Sequence, residues 1–173
     1  MTVPDTATRI HPAGDARPVE AVELDPLVRT QVIEHAARAQ PEEACGILVG
    51  NVEAGCVRVR RALRCTNAAP ANERNRRFEI DPRAVLNVQR ELRSTANGIV
   101  GFYHSHPEGA AEPSPTDLEF MRLWPDSAWL IAGGDVSGRA SLRAWWLDLD
   151  PGDAVRELPI TLPMQVRGAR CPD

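Results

Sequence analysis

Three helix starts constrain this chain more than any other feature of its sequence. Each is an acidic or hydroxyl residue followed at once by proline: Asp25-Pro26, Asp81-Pro82 and Ser114-Pro115. Such a pair caps the free N–H groups of a first helical turn and puts proline where its missing N–H costs nothing. Helices are therefore expected over PLVRTQVIEHAARAQ, which Pro41 ends, over PRAVLNVQRELRSTA, which Asn97 and Gly98 end, and over PTDLEFMRLW. Leu27, Val32, Ala36 and Ala37 are the expected buried stripe of the first.

Short apolar or alternating runs fill the intervals. PVEAVELD reads as an edge strand, ACGILVGN and CVRVRRALRCTN as antiparallel neighbours joined through VEAG, and RRFEI as a brief strand. GIVGFYHSHP, SAWLIAGG, RASLRAWWLDL and VRELPITL supply the remaining strands. At 173 residues the chain suits one compact domain, expected over residues 19–163. A flexible leader over residues 1–18 and an irregular tail over 164–173 flank it, both rich in turn-forming residues and without periodicity.

Composition narrows the classes. Hydrophobic residues at 43% and charged residues at 25% are those of a globular protein. The net charge of -4 gives no general reason to bind nucleic acid. No signal core and no run of about 18 apolar residues is present, so no membrane span is expected. Cys45, Cys56, Cys65 and Cys171 form no CxxC pair, which points to a reducing cytoplasm. All 20 basic residues are arginine, which genomic base composition alone could produce.

The chemistry gathers in HSHPEGAAEPSPTD. Side chains two apart on a strand share a face, so His104 and His106 can reach one ion while Ser105 turns away. Asp117 lies three residues after Ser114, and both can project from the helix start towards the strand end. Two imidazoles and a carboxylate suit zinc with one position left open, the arrangement of a catalytic site. Spacing alone leaves a second reading, since paired histidines also occur as satisfied core or surface residues.

With Pro107, Ser114 and Asp117 added, the stretch resembles the JAMM motif of the MPN/JAB metalloprotease family, HxHP followed after a fixed gap by SxxD. Upstream, PEEACGILVG is similar to that family's glutamate-bearing signature, with Glu43 as the match and Glu42 left to solvent. The likeness covers about residues 20 to 162, and the helix bearing His35 and the RFEIDP element look like those of bacterial stand-alone members. It implies an α+β fold: a three-layer, cytidine-deaminase-like domain in which a curved, mostly antiparallel sheet is flanked by helices. It implies one zinc ion held by His104, His106 and Asp117, Glu43 as general base, and Ser114 donating to the oxyanion, a role its hydroxyl could combine with capping its helix. Cys45, beside Glu43, reads as a buried small residue rather than a ligand.

Members of that family hydrolyse amide bonds at the C-terminal tail of ubiquitin-like proteins. The resemblance thus implies a zinc peptidase or isopeptidase, deubiquitinase-like, cutting after the Gly-Gly tail of a ubiquitin-like protein, with E1- and E2-like proteins of the same operon as possible partners. Trimming a sulfur-carrier protein, or releasing cysteine from it, is the alternative, and a metal-free MPN scaffold is a third. A groove near Glu43 and RCTNAAPANERN is expected to take the extended tail. Beside a conjugating system, a chain without lysine would also escape modification itself. A deaminase is excluded because no CxxC is present, and a barrel amidohydrolase because the chain is too short. Trp129, Trp145 and Trp146 read as core and sheet packing, with Trp124 a possible groove residue.

Overall fold

The computed structural model describes residues 18–134, 140–148 and 154–163. The expected leader, apart from Pro18, and the expected tail with Cys171 lie outside the described residues. The elements follow in the order β1 (Ala21–Leu24), α1 (Pro26–Ala39), β2 (Cys45–Glu53), β3 (Cys56–Cys65), α2 (Pro82–Leu92), β4 (Gly98–Ala110), α3 (Pro115–Leu123), β5 (Ala128–Gly134), β6 (Ala140–Asp148), β7 (Ala154–Leu158) and β8 (Ile160–Thr161).

All three capped starts form as the sequence requires. Asp25 accepts the Leu27 N–H at 2.8 Å, Asp81 accepts that of Arg83 at 2.8 Å, and each proline stands in the first turn. Ser114 and Asp117 bond reciprocally, each side chain accepting the other's backbone N–H. The β2–β3 hairpin turns at Ala54 and Gly55, whose φ values of 54° and 75° both lie in the left-handed region that a tight hairpin turn demands.

The eight strands make one sheet in the order β7-β6-β5-β4-β2-β3-β1-β8. β2 pairs antiparallel with β3 and β4, as β6 does with β5 and β7, whereas β4–β5, β1–β3 and β1–β8 are parallel. The two border strands, β7 and β8, are consecutive in the chain and separated by Pro159 alone. The sheet must therefore curl until its borders meet, and the Pro159 carbonyl closes the corner by accepting the Val22 N–H at 3.0 Å.

Strand alternation sorts the core onto the two faces. Leu48, Val100, Tyr103 and Leu130 pack with Val28 and Val32 of α1. Their neighbours Ile47, Ile99, Phe102 and Trp129 pack on the other side with Val85 of α2 and Met121 of α3. Helix, sheet and helix pair thus form three layers, the arrangement expected.

Four local readings are corrected. β1 is not a border strand, because the two-residue β8 pairs with it. RRFEI forms no strand: its backbone is bonded by the Asn67 side chain, which accepts the Glu79 N–H at 3.2 Å and donates to the Arg77 carbonyl at 2.9 Å. VRELPITL splits at Pro159 into two strands on opposite borders. On α1, Leu27 and Ala37 face solvent and Val28 takes the buried place, since one residue along a helix turns the side chain by about 100°.

Candidate metal centre

β4 runs on through the histidines to Ala110, and α3 begins five residues later. His104 and His106 project from one face of β4, with their Nε2 atoms 3.1 Å apart. Ser105 turns to the other face, where its Oγ accepts the Ala44 N–H at 2.8 Å. The capping box at the start of α3 fixes Asp117, whose Oδ1 lies 3.2 Å from His104 Nε2 and whose Oδ2 lies 3.2 Å from His106 Nε2. One donor atom from each of the three falls within 4.8 Å of the other two, a group able to hold a metal ion.

The hydrogen bonding of the rings tests that fit. His106 Nδ1 lies 2.8 Å from the Ala110 carbonyl, which can only accept, so Nδ1 carries the proton. In the neutral ring Nε2 then presents a lone pair, and it faces a carboxylate oxygen that also only accepts. Two acceptors 3.2 Å apart need a cation between them, either a second proton on the ring or a metal ion. His104 is wholly buried and its Nδ1 has no partner among the described residues, so its only bonding edge is the one turned to the same point.

The electrostatics agree. Burial pushes the Asp117 carboxyl up, but the hydrogen bonds of His104 and His106 outweigh it and hold the group well below the ordinary carboxylate range. Burial lowers the His104 pKa more than Asp117 raises it, which keeps a neutral imidazole. On His106, burial acts downwards and is overcome by the bonds to Asp117 and Ala110, so that ring is raised.

Glu43 stands just before β2. β2 pairs with β4 so that Cys45 faces His104, and the Ala44 carbonyl accepts the Ser105 N–H at 3.0 Å, which brings Glu43 alongside His106. It is only 5% exposed. Burial drives its pKa up to about 7, His106 opposes this and Asp117 adds to it. Glu42 is half-exposed and faces Arg74 at 3.8 Å, as a solvent-side residue should. Cys45 is buried, which pushes its thiol up to about 12, and it stands outside the group of three donors able to hold a metal ion among the described residues.

Two residues of the site escape sequence reasoning. Asn67 donates through Nδ2 to the Glu43 carbonyl at 3.1 Å and thereby ties the glutamate to the segment at residues 77–79. Phe78, on that segment, lies against the His104 ring. Nothing separates Asn67 from the other asparagines of its turn-rich stretch, and Phe78 sits where a strand was expected. A depression of about 300 Å³ opens beside Glu43, lined by His35, Arg64, Thr66 and Asn67 among others, where the groove was expected. Trp129 and Trp146 are buried, Trp145 is half-buried on the sheet, and Trp124 packs on Phe102 at 5.0 Å.

Residues 26–148 match a family model described as prokaryotic homologs of the JAB domain. The chain is 32% identical over 157 residues to the desampylase of Haloferax volcanii, covering 91% of this chain and 99% of that protein. It is 32% identical over 132 residues to the CysO-cysteine peptidase of Mycobacterium tuberculosis, covering 76% of this chain and 84% of that one. The solution structure of a protein from Desulfitobacterium hafniense superposes with a TM-score of 0.67 at 27% identity, covering 82% of this chain and 92% of the other. No helix among the described residues is long and apolar enough to cross a membrane.

Proposed function

The chain belongs to the prokaryotic JAB-domain family, and on that footing we propose that it is a zinc-dependent peptidase and isopeptidase cutting the amide bond after the Gly-Gly tail of a ubiquitin-like protein. One observation carries the reading. His106 Nε2, with Nδ1 committed to the Ala110 carbonyl, faces the Asp117 carboxylate beside a buried His104, a donor set shaped for a single borderline-soft cation. Zinc, when bound there, supplies a Lewis acid and brings the pKa of water towards about 7.

The chain's own groups supply the proton traffic. Raised by burial, the Glu43 carboxylate takes a proton from the attacking water and hands it to the leaving nitrogen, a task that needs a group able to gain and lose the proton. Ser114 Oγ accepts the Asp117 N–H at 3.3 Å, which leaves its hydroxyl proton to donate to the oxyanion that develops on the scissile carbonyl. The depression beside Glu43 offers an extended tail a way in, and a narrow channel favours glycine over any residue with a side chain.

The likeness to a CysO-cysteine peptidase favours a second substrate for the same chemistry, a sulfur-carrier protein bearing cysteine on its tail. E1- and E2-like partners belong with the first reading, and both fit an intracellular setting. Intact-mass spectrometry decides between them. Zinc-loaded protein and a Glu43→Ala control are incubated with ubiquitin-like proteins encoded near the gene, presented as isopeptide conjugates, linear extensions and cysteine adducts. Cleavage after the terminal glycine that vanishes in the control supports the proposal, and the preferred form of substrate separates the readings. No cleavage in spite of one bound zinc leaves a binding scaffold as the better account.

A further inference from the structure

Between the strand that carries the histidines and the helix that carries Asp117 lie few free links. Ala110 is still held by β4, paired with Gly134 and bonded to His106 Nδ1, and Ser114 already belongs to the capping box of α3. Only residues 111–113 join the two, and two side chains of one strand hold them. Trp145 on β6 donates from Nε1 to the Ala111 carbonyl at 2.9 Å. Arg143, two residues earlier on the same face, donates from Nη1 to Glu112 at 2.6 Å.

The two anchors brace each other. The Arg143 guanidinium lies over the Trp145 indole, 4.5 Å from its centroid. Its remaining nitrogens grip Glu157 of β7 at 2.8 Å and 2.7 Å, so the group is locked in plane by a forked pair. From below, a Cβ at Gly133 would come within 2.7 Å of the Ala111 nitrogen, so the link is seated directly on β5.

We infer that Arg143 and Trp145 are positioning residues that fix the link at residues 111–113 and so set Asp117 at its distance from His104 and His106. The inference rests on the metal-centre reading above. Neither residue touches the donor atoms. With an anchor removed, α3 can shift relative to β4, and the three ligands no longer converge on one point, as when a hydrogen-bonded support behind a metal ligand is lost.

Zinc affinity by chelator competition, together with the visible absorption of the cobalt(II)-substituted protein, tests this in wild type, Glu112→Ala, Trp145→Phe and Arg143→Gln. Glu112 is exposed, so its substitution leaves the fold intact and decides the matter even where Arg143→Gln fails to fold. Glu112→Ala and Trp145→Phe are expected to weaken zinc binding by roughly 10-fold and to shift the cobalt bands, a spectroscopic change that a loss of general stability does not produce. Wild-type affinity and bands in both variants overturn the positioning role while leaving the metal centre standing. A wild-type protein that takes up no metal overturns both.

Discussion

Phe78 lies almost flat on His104, with ring centroids 4.5 Å apart and planes 18° from parallel. The imidazole has no hydrogen bond at Nδ1 among the described residues, so this stack joins the Nε2 contact with Asp117 in setting its plane. Phe78→Ala is expected to destabilise the fold by about 3 to 5 kcal/mol and to weaken metal binding, whereas Phe78→Tyr keeps the ring and both properties. Urea unfolding and chelator competition on the two variants check this. Unchanged metal affinity in Phe78→Ala would show that His104 holds its plane without the stack.

Glu43 gives the pH dependence a sign. Only the ionised carboxylate accepts the water's proton, so kcat/KM falls on the acid side with a midpoint at or below about 7, since a bound cation lowers the value further. Glu43→Gln is expected to lower kcat by roughly 100-fold to 10,000-fold and to abolish that limb. A mutant with an unchanged acid limb would assign the limb to another group.

The same group leaves a mark on stability. Its folded pKa is raised, so between about 4.5 and 7 the folded metal-free protein binds more protons at Glu43 than the unfolded chain does. That contribution is favourable below the unfolded value and is lost as the pH rises through the folded one. Relative to wild type, Glu43→Gln should therefore gain stability across this window, by at most about 3 kcal/mol. Denaturant titrations at pH 4.5 and pH 7.5 measure the difference, and parallel curves would rule out a raised Glu43.

Ser114 carries two tasks that one substitution separates by size. Loss of the cap in Ser114→Ala costs about 1 kcal/mol, while loss of an oxyanion donor lowers kcat by roughly 100-fold to 1,000-fold. Thermal unfolding and steady-state kinetics on one preparation give both numbers. A fall in stability with kcat changed less than about tenfold leaves only the cap.

Chelation is expected to inactivate the protein without unfolding it. The clusters on both faces of the sheet draw on strands and helices far from the histidines, so the metal-free domain stays folded. Zinc at 100 times its Kd adds about 2.7 kcal/mol, seen as a higher Tm on titration. Collapse of the circular dichroism spectrum on chelation would mark the ion as structural instead.

What was legible in the sequence was what is local. Capped starts and strand alternation are decided within a few residues, so the helices and the grouping of His104, His106, Ser114 and Asp117 follow from spacing and motif. Glu43 is distant in the chain from that group and could be assigned only through the family pattern. Asn67, Phe78, Arg143 and Trp145 act across the sheet or across a loop, and no local period marks them. The pairing of β8 with β1 was hidden for the same reason, because two residues carry no alternation. Leu27 and Val28 are both apolar, and the phase of the helix, fixed by packing, decided between them.

The corner at Pro159 has a consequence beyond shape. Among the described residues, the sheet is bordered by strands of five and two residues that run into one another through a residue with no N–H to give. Long unpaired borders are where globular proteins nucleate cross-molecular ladders and aggregate, and short, proline-interrupted ones are poor templates. Borders of five and two residues give a second copy of the chain few consecutive backbone groups to pair with.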